Sequence, residues 1–445
     1  MKEKVVTRIV FRLTITFLSL IIGYLFLLKF EVKAIGIIAF STSLVGVFSL
    51  FSDLGFSLIY IQHNSDEDFE DYFSIYYLLQ IIILLANFGP LFIFIFFLDL
   101  EPLVLNFLIL KIISEFIINL AFPWIINLES RLKYMKLELV VIIINILRDI
   151  LILHLLFNIE NFQYPLYILG QIYIITALIQ MALVLIISKG EFRFRKIKKD
   201  KLRQFLKDSK PLIKLRIISA LVGNIGYILI DLSYGHEALA YYYFIDNYVI
   251  TILLIVSAQI HQIILTRFPK EFQEGNLKNI EFFIHKIEKF SSILHLAIAI
   301  IAILNGHLLI GLFLPKYSES VVYLYILIFI PYLAGINRPY SALFIPAKKQ
   351  RLSSNYNLTK AIVFTILIII FVPKEFFSIK MLGLGGLGLA ILAILNRFID
   401  IFSFRYFDKK LGISYNPKIV IHFILALISL LIVFVLCELF IKDII

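Results

Sequence analysis

The sequence predicts an all-α, polytopic membrane protein, and three observations support this fold class. Of its 445 residues, 61% are hydrophobic and only 16% are charged, whereas an average soluble domain has about 25% charged residues. The mean hydropathy is +0.95. The apolar residues come in continuous blocks of about 20, the length that crosses a hydrocarbon core about 30 Å thick. The basic residues are concentrated in alternate loops between these blocks.

Each apolar block is expected to be a helix, because backbone polar groups in lipid must bond within their own segment. Strands of a transmembrane barrel would alternate apolar and polar residues, and these blocks do not. No small-residue cleavage site follows the first block, so we expect a retained helix rather than a signal peptide. We predict about 13 transmembrane helices, near residues 8–28, 34–62, 73–98, 103–127, 136–157, 164–188, 209–233, 238–265, 288–314, 319–345, 357–372, 381–404 and 418–440.

The distribution of basic residues predicts a cytoplasmic N-terminus in a cell membrane. With this orientation, the inside segments hold 32 of the 42 Lys and Arg residues and the outside segments hold six. An odd number of spans then places the C-terminus outside. Because this bias accounts for the net charge of +11, we expect no nucleic-acid partner.

A basic segment near the middle of the chain divides it into two halves. Its run GEFRFRKIKKDKLRQFLKDSK fits either an interfacial helix on anionic lipid or a plain connector. The halves share weak similarity, such as Gly23-Tyr24-Leu25 and Gly226-Tyr227-Ile228. Parallel repeats are a transporter architecture with a substrate site between two lobes that rock about it. We predict a six-helix lobe at 1–188, a basic cytoplasmic linker at 189–208, a second six-helix lobe at 209–405 and an extra helix within 406–445.

Four basic residues fall deep inside predicted spans, where each would cost about 2.5–3.5 kcal/mol if it faced lipid. They either form salt bridges that hold helices together or line a water-filled cavity that receives an anion. Glu115 lies one helical turn after Lys111, and Asp400 lies one turn after Arg397. Asp149 is expected to point away from its neighbour Arg148. The four residues are Lys111, Arg148, Arg338 and Arg397.

Arg338 is the strongest functional candidate of the four. It has no acid near it in sequence, and the following Pro339 frees a backbone carbonyl. Arg12 and Arg216 lie near the cytoplasmic ends of the first helix of each lobe. They either snorkel to the interface or bind substrate at the inner mouth of a central cavity.

Two acids are candidates for coupling to an ion. Asp53 and Asp246 lie within predicted spans, although Asp53 also fits a helix cap beside Gly55. The single cysteine, Cys437, excludes an intrachain disulfide and a multi-cysteine metal site. The sequence has no phosphate-binding loop of the GxxxxGK[ST] type, and the scattered histidines form no ligand pair. We therefore expect no metal, no cofactor and no direct use of ATP.

Three segments carry a resemblance to a known family. Ala34–Gln62 begins with a Gly and an Ala-Phe pair and includes the run Phe51-Ser52-Asp53-Leu54-Gly55. Leu314–Tyr317 is followed by Pro346–Lys349, and a glycine cluster spans Gly383–Gly388. These segments resemble the multidrug/oligosaccharidyl-lipid/polysaccharide (MOP) exporter superfamily. The second predicted helix has no arginine, unlike that of peptidoglycan-precursor flippases, and this lowers the expectation of that subtype.

The resemblance implies a transporter rather than an enzyme. The predicted cationic interior is more similar to that of the polysaccharide branch of the superfamily. Members of that branch move glycans linked through diphosphate to a polyprenyl lipid. Arginine suits such a head group because its guanidinium binds phosphate oxygens bidentately. The expected partners are this lipid-linked glycan, membrane lipids and glycan-assembly enzymes. One alternative is a cation-coupled multidrug exporter, which should have an acidic cavity. The other is a membrane glycosyltransferase or polymerase using Asp99-Leu100-Glu101. Such an enzyme needs a sizeable outer loop or domain, and the predicted outside loops are all short.

Overall fold

We describe the protein from a computed structural model. The structure describes residues 19–62, 69–98, 100–131, 134–189, 194–254, 268, 271–272, 274–344, 346–347 and 349–414. The chain forms two compact units, unit 1 (Met1–Ile228) and unit 2 (Leu229–Ile445). The predicted lobe, linker and C-terminal boundaries stay predictions.

Helices dominate both units, which confirms the all-α fold class. Among the described residues, nine helical stretches are long and apolar enough to cross a membrane. The α-helices are α1 Ser19–Lys29, α2 Val32–Leu50, α3 Phe56–Gln62, α4 Phe69–Phe94, α5 Pro102–Ser130, α6 Tyr134–Phe157, α7 Pro165–Ser188, α8 Lys199–Tyr234, α9 His236–Tyr243, α10 Leu277–Phe313, α11 Val321–Leu327, α12 Phe329–Ser341, α13 Gln350–Phe371 and α14 Gly385–Lys409.

Several predicted spans differ from the helices in length or continuity. The span predicted at 34–62 is broken, because Gly55 adopts a φ of +90° between α2 and α3. The span predicted at 238–265 begins as α9 and continues as a π-helix, Phe244–Ile250. Helices α8 and α10 begin about ten residues before the predicted spans, since their polar first turns carry no hydropathy signal. The predicted helix at 418–440 lies outside the described residues.

Unit 1 has an aromatic core at one end of its helices. Tyr60 stacks on Tyr76, and its hydroxyl donates to Asn127 Oδ1 at 2.6 Å. Phe73 packs edge-on against Trp124. These contacts join α3, α4 and α5, and buried residues of α6, α7 and α8 complete the cluster.

The basic segment before and within α8 is docked on unit 1. Asp71, whose side chain is only 4% exposed, accepts a hydrogen bond from Lys201 Nζ at 2.9 Å. Lys198 and Arg195 lie within 3.5 Å and 3.7 Å of the same carboxylate. Phe205 is fully buried beside Tyr72. The segment therefore combines an inner face of specific contacts with an exposed basic face.

Unit 2 packs α10, α12 and α14 together, with α13 against α14. Two buried clusters lie among them, one around Phe344 and Phe404 and one around Tyr332 and Ile401. The link between α13 and α14 is a short hairpin, with Glu375–Phe376 paired antiparallel to Ile379–Lys380. Its tip exposes Phe377, of which 86% is accessible.

The predicted orientation places two exposed positions, Lys199 and Phe377, on opposite sides of the membrane, and cysteine labelling can test this. In a Cys437→Ser background, a cysteine at Lys199 should lie inside and a cysteine at Phe377 outside, because the basic loops stay in the cytoplasm. A membrane-impermeant maleimide added to intact cells should label Phe377→Cys only, and permeabilisation should add Lys199→Cys. The reverse pattern would contradict a cytoplasmic N-terminus.

Candidate functional site

The candidate site is a cavity of about 460 Å³ in unit 2, lined by α12, α13, α14 and the turn after α12. Two of the four deep cations predicted from the sequence, Arg338 and Arg397, line it together. Lys360 of α13 adds a third cation, and among the described lining residues Asp400 is the one acid. The other lining residues are Ala334, Asn337, Ser341, Phe344, Ser353, Ser354, Asn357 and Phe404.

Arg338 lies in the last turn of α12, where Pro339 follows it. Its guanidinium Nη1 donates to the Leu254 carbonyl at 3.2 Å. Among the described residues, no carboxylate lies within ion-pair distance of it. Within the described ranges, Arg338 therefore brings to the cavity a charge that no acid pairs with.

Arg397 lies midway along α14 and keeps 42% of its side chain exposed. Its predicted partner, Asp400, is 3.9 Å away. That carboxylate is already engaged, because Lys360 Nζ donates to it at 2.6 Å and the Tyr356 hydroxyl at 2.9 Å. The prediction of an Arg397–Asp400 pair is therefore correct in geometry, but Lys360 is the closer partner.

Lys360 was not among the predicted deep cations, although it falls within the span predicted at 357–372. Helix α13 begins at Gln350, about two turns before the predicted start, so Lys360 lies well inside the helix rather than in its first turn. A usable signal was present, because Ser353, Asn357 and Lys360 recur at the spacing of one helical face. Such a polar stripe along an apolar helix indicates a cavity or a partner helix.

A buried ion pair lies behind the cavity and joins three helices. Arg405 Nη2 of α14 donates to Glu288 Oε1 of α10 at 2.7 Å, and both side chains are at most 7% exposed. The Tyr340 hydroxyl of α12 donates to Glu288 Oε2 at 2.8 Å, and the Arg405 guanidinium lies 4.4 Å from the Tyr340 ring centre. Neither Glu288 nor Arg405 was predicted as a site residue, because they fall at the ends of the spans predicted at 288–314 and 381–404.

Asn337 connects the ion pair to the cavity. Its Oδ1 accepts from Arg405 Nη1 at 3.3 Å, and its Nδ2 donates to the Arg397 carbonyl at 2.9 Å. Asn337 itself lines the cavity. The position of Arg397 on α14 is thus tied to the buried pair through one amide side chain.

The other two deep cations, Lys111 and Arg148, lie in unit 1, and each has an acid nearby. Lys111 Nζ is 3.6 Å from Glu115, as predicted, and lies 5.0 Å from the ring centre of Tyr173. Arg148 Nη2 is 3.5 Å from Asp149. The expectation that Asp149 points away from Arg148 is wrong, since the long arginine side chain bends back to it. In unit 1 the positive charge is therefore compensated locally.

The remaining predicted residues divide into two groups. Asp53 accepts from the Ser57 backbone N–H at 2.9 Å and from the Ser57 hydroxyl at 2.5 Å, which is the geometry of a helix cap at α3. Asp246 lies half-buried in the π-helix. Arg12 lies outside the described residues, as does the side chain of Arg216 on α8. Ion coupling by Asp53 and Asp246 stays a prediction.

The motif Asp99-Leu100-Glu101, which was considered as the metal site of an enzyme, forms no metal site in the described part of the chain. Glu101 forms an exposed ion pair with Lys33 at 2.9 Å, and Asp99 lies outside the described residues. Across the ranges that the structure describes, no three His, Cys, Asp or Glu residues converge as metal ligands.

A comparison with known families decides the classification. The sequence model of the family described as polysaccharide biosynthesis protein matches residues 3–269, more than half of the chain. The chain belongs to the polysaccharide biosynthesis protein family. A search of curated protein sequences finds no match.

Solved structures show which fold this member of the polysaccharide biosynthesis protein family has. It is similar to the lipid II flippase MurJ in an inward closed conformation, with a TM-score of 0.70, 14% identity and 99% of each chain covered. It is equally similar to an inward-facing multidrug resistance MATE transporter of the MOP superfamily, with a TM-score of 0.70, 12% identity, and 89% of this chain and 95% of that one covered.

A third relative is a MOP superfamily transporter from Pyrococcus furiosus, whose binding pocket is described as reversed in polarity. Its TM-score is 0.57 at 13% identity, with 92% of this chain and 94% of that one covered. Together these matches confirm the resemblance to the MOP superfamily and give this protein the superfamily's fold. At such identities they show the fold alone.

The buried ion pair predicts a large effect of one neutral substitution. Arg405→Gln should lower the free energy of unfolding by about 3–5 kcal/mol, because it leaves the Glu288 charge buried without its partner. Thermal unfolding in detergent micelles measures this. Arg397→Gln is the matched control, since its side chain is 42% exposed and its loss should change the midpoint little. Equal midpoints for the two variants would contradict a structural role for Arg405.

Proposed function

We propose that this protein is a flippase that moves a polyprenyl-diphosphate-linked oligosaccharide across the membrane by alternating access. The observation that carries the proposal is the excess of cations in the unit 2 cavity. Arg338, Arg397 and Lys360 outnumber Asp400 within membrane-spanning helices. Because a buried cation without compensation is costly, its retention favours a site that receives an anion.

The chemistry of the lining fits a diphosphate head group with its first sugar. Arginine binds phosphate oxygens bidentately and keeps its charge at every biological pH. The Asn and Ser side chains of the cavity supply donors and acceptors suited to sugar hydroxyls. A volume of about 460 Å³ falls within the range of roughly 300–1,000 Å³ typical of small-molecule sites. It suits a head group and leaves the lipid tail to the bilayer.

Membership of the polysaccharide biosynthesis protein family supports the same substrate class. A flippase would link glycan assembly on the cytoplasmic side to use of the glycan outside, so glycan-assembly enzymes are its proposed partners. In unit 1, Lys111 and Arg148 are proposed to contact substrate only if their local acids move away, since Glu115 and Asp149 compensate them in this structure.

A cation-coupled multidrug exporter is the second candidate, because the MATE transporter matches as well as MurJ does. The two candidates require opposite charge in the binding cavity. An exporter of organic cations needs an acid that is free to meet its substrate, and Asp400 is already bound to Lys360 at 2.6 Å. The charge of the unit 2 cavity therefore favours the flippase.

Neutralising the cavity arginines should abolish export of glycan. In cells that depend on this protein, the double variant Arg338→Gln with Arg397→Gln should lose surface glycan at least tenfold while the protein stays in the membrane. The reason is that a diphosphate loses both guanidinium partners, each charge-assisted bond contributing about 1.5–3 kcal/mol. Flow cytometry with a lectin measures the surface glycan, and immunoblotting of membranes measures the protein.

The matched control is Lys374→Gln with Lys380→Gln, two cations of the hairpin that do not line the cavity. It should keep wild-type glycan. Wild-type glycan in the double arginine variant would contradict the proposed substrate. Loss of resistance to organic cations, with glycan unchanged, would favour the exporter instead.

A further inference from the structure

Asp408 is a buried acid that no part of the proposed function uses. It lies at the end of α14, is 1% exposed, and neither of its carboxylate oxygens has a hydrogen-bond partner in the described part of the chain. A buried carboxylate of this kind is among the most costly groups in a protein unless it is paired or neutral. Its retention therefore needs an explanation.

A matching unsatisfied donor lies one turn away on the same helix. Arg405 Nε is buried and has no hydrogen-bond acceptor among the described residues, although the other end of its guanidinium binds Glu288 and Asn337. Residues three apart lie on the same face of a helix, so Arg405 and Asp408 are neighbours. Rotation of one side chain would bring the Arg405 Nε–H and the Asp408 carboxylate into a hydrogen bond that this structure does not contain.

The charges of the three residues do not balance. Glu288 and Asp408 would carry two negative charges against the single positive charge of Arg405. Because Glu288 already accepts from both Arg405 and Tyr340, its carboxylate is the one stabilised as an anion. One proton on Asp408 makes the buried group neutral.

We propose that Glu288, Arg405 and Asp408 form a proton-binding site in which Arg405 exchanges between the two acids. In the state described here Asp408 holds the proton and Arg405 binds Glu288. When the proton leaves, the Asp408 carboxylate competes for the guanidinium and draws it from Glu288. The only bond made or broken is the O–H of the Asp408 carboxyl group, and the proton is exchanged with water.

The groups on every packed element allow this assignment. Among the described residues, the titratable or charged groups near this end of α14 are Glu281, His285 and Glu288 on α10, Tyr340 on α12, Tyr356 on α13, and Arg405, Tyr406, Lys409 and Lys410 on α14 itself. Glu281 and His285 bond the backbone of Ser414, and Tyr356 bonds Asp400. Lys409 and Lys410 are exposed, so Arg405 is the buried cation beside Asp408 in the described part of the chain.

Exchange of Arg405 between the two acids would change the contacts that hold Arg397 in the cavity wall. Arg405 also donates to Asn337, and Asn337 donates to the carbonyl of Arg397. Loss of the Arg405–Glu288 bond would thus alter the support of a residue that lines the candidate site. That this change couples a proton to glycan movement rests on the proposed function. The presence of the proton on Asp408 does not.

Infrared difference spectroscopy tests the proton directly on the purified protein, without any glycan. At pH 7 the wild type should show the carbonyl-stretch band of a protonated carboxylic acid, and Asp408→Asn should lose it. Asp400→Asn, the matched change two turns earlier on α14, should keep it, because Asp400 is paired with Lys360. Spectra of wild type and Asp408→Asn that do not differ in this band would overturn the proposal.

Glu288→Gln gives a second outcome that a merely structural Asp408 would not produce. With one acid removed, Arg405 should turn to Asp408, and the acid band should disappear at pH 7. Its thermal midpoint should also fall less than that of Arg405→Gln, since Asp408 replaces the lost partner. A band that persists in Glu288→Gln would contradict the exchange. Failure of either measurement leaves the flippase proposal standing, and failure of the glycan assay leaves this one standing.

Discussion

The buried contact between Glu288 and Arg405 constrains how unit 2 can be built. A bilayer offers no water to solvate a charge, so each must find its partner inside the protein. This pair joins α10 to α14, and Tyr340 adds α12 to the same contact. Two of these helices, α12 and α14, form walls of the cavity. Because the ion pair holds these helices together, the cations of α12 and α14 can face the cavity rather than the lipid.

The two units differ in how the cations within their predicted spans are paired. In unit 1 both Lys111 and Arg148 lie within ion-pair distance of an acid on their own helix. In the described part of unit 2, Arg338 bonds a backbone carbonyl and no acid, and Arg397 shares an acid that binds Lys360 more closely. Pairing within one helix is inexpensive and satisfies the charge, which suits a structural role. An arginine left without an acid has a cost that binding of an anion would offset.

Much of this organisation could be predicted from the sequence because hydropathy is a strong signal. The helical fold follows from the long apolar blocks, and the rarity of charge within them points to Arg338 and Arg397, which line one cavity. What could not be predicted lies at helix ends. Lys360 and Arg405 stand where a span meets a loop, and only packing tells a buried charge there from a solvated one.

Asp53 illustrates a different limit. Its motif beside Gly55 is as typical of a helix break as of an ion site, and the positive φ of that glycine explains why the chain needs a cap there. Residue type alone could not separate the two roles. The carboxylate oxygens of Asp408, by contrast, have no partner among the described residues, and this depends on tertiary packing that the sequence does not reveal.

The most direct test of the central claim is flipping in liposomes that contain the purified protein and a fluorescent polyprenyl-diphosphate oligosaccharide. A quencher that cannot cross the membrane reports the share of the lipid in the outer leaflet. The account predicts that wild-type protein exposes nearly all of the label to the quencher, whereas the Arg338→Gln, Arg397→Gln variant leaves the inner-leaflet half protected. Equal protection with and without the wild-type protein, or full exposure with the double variant, would contradict it.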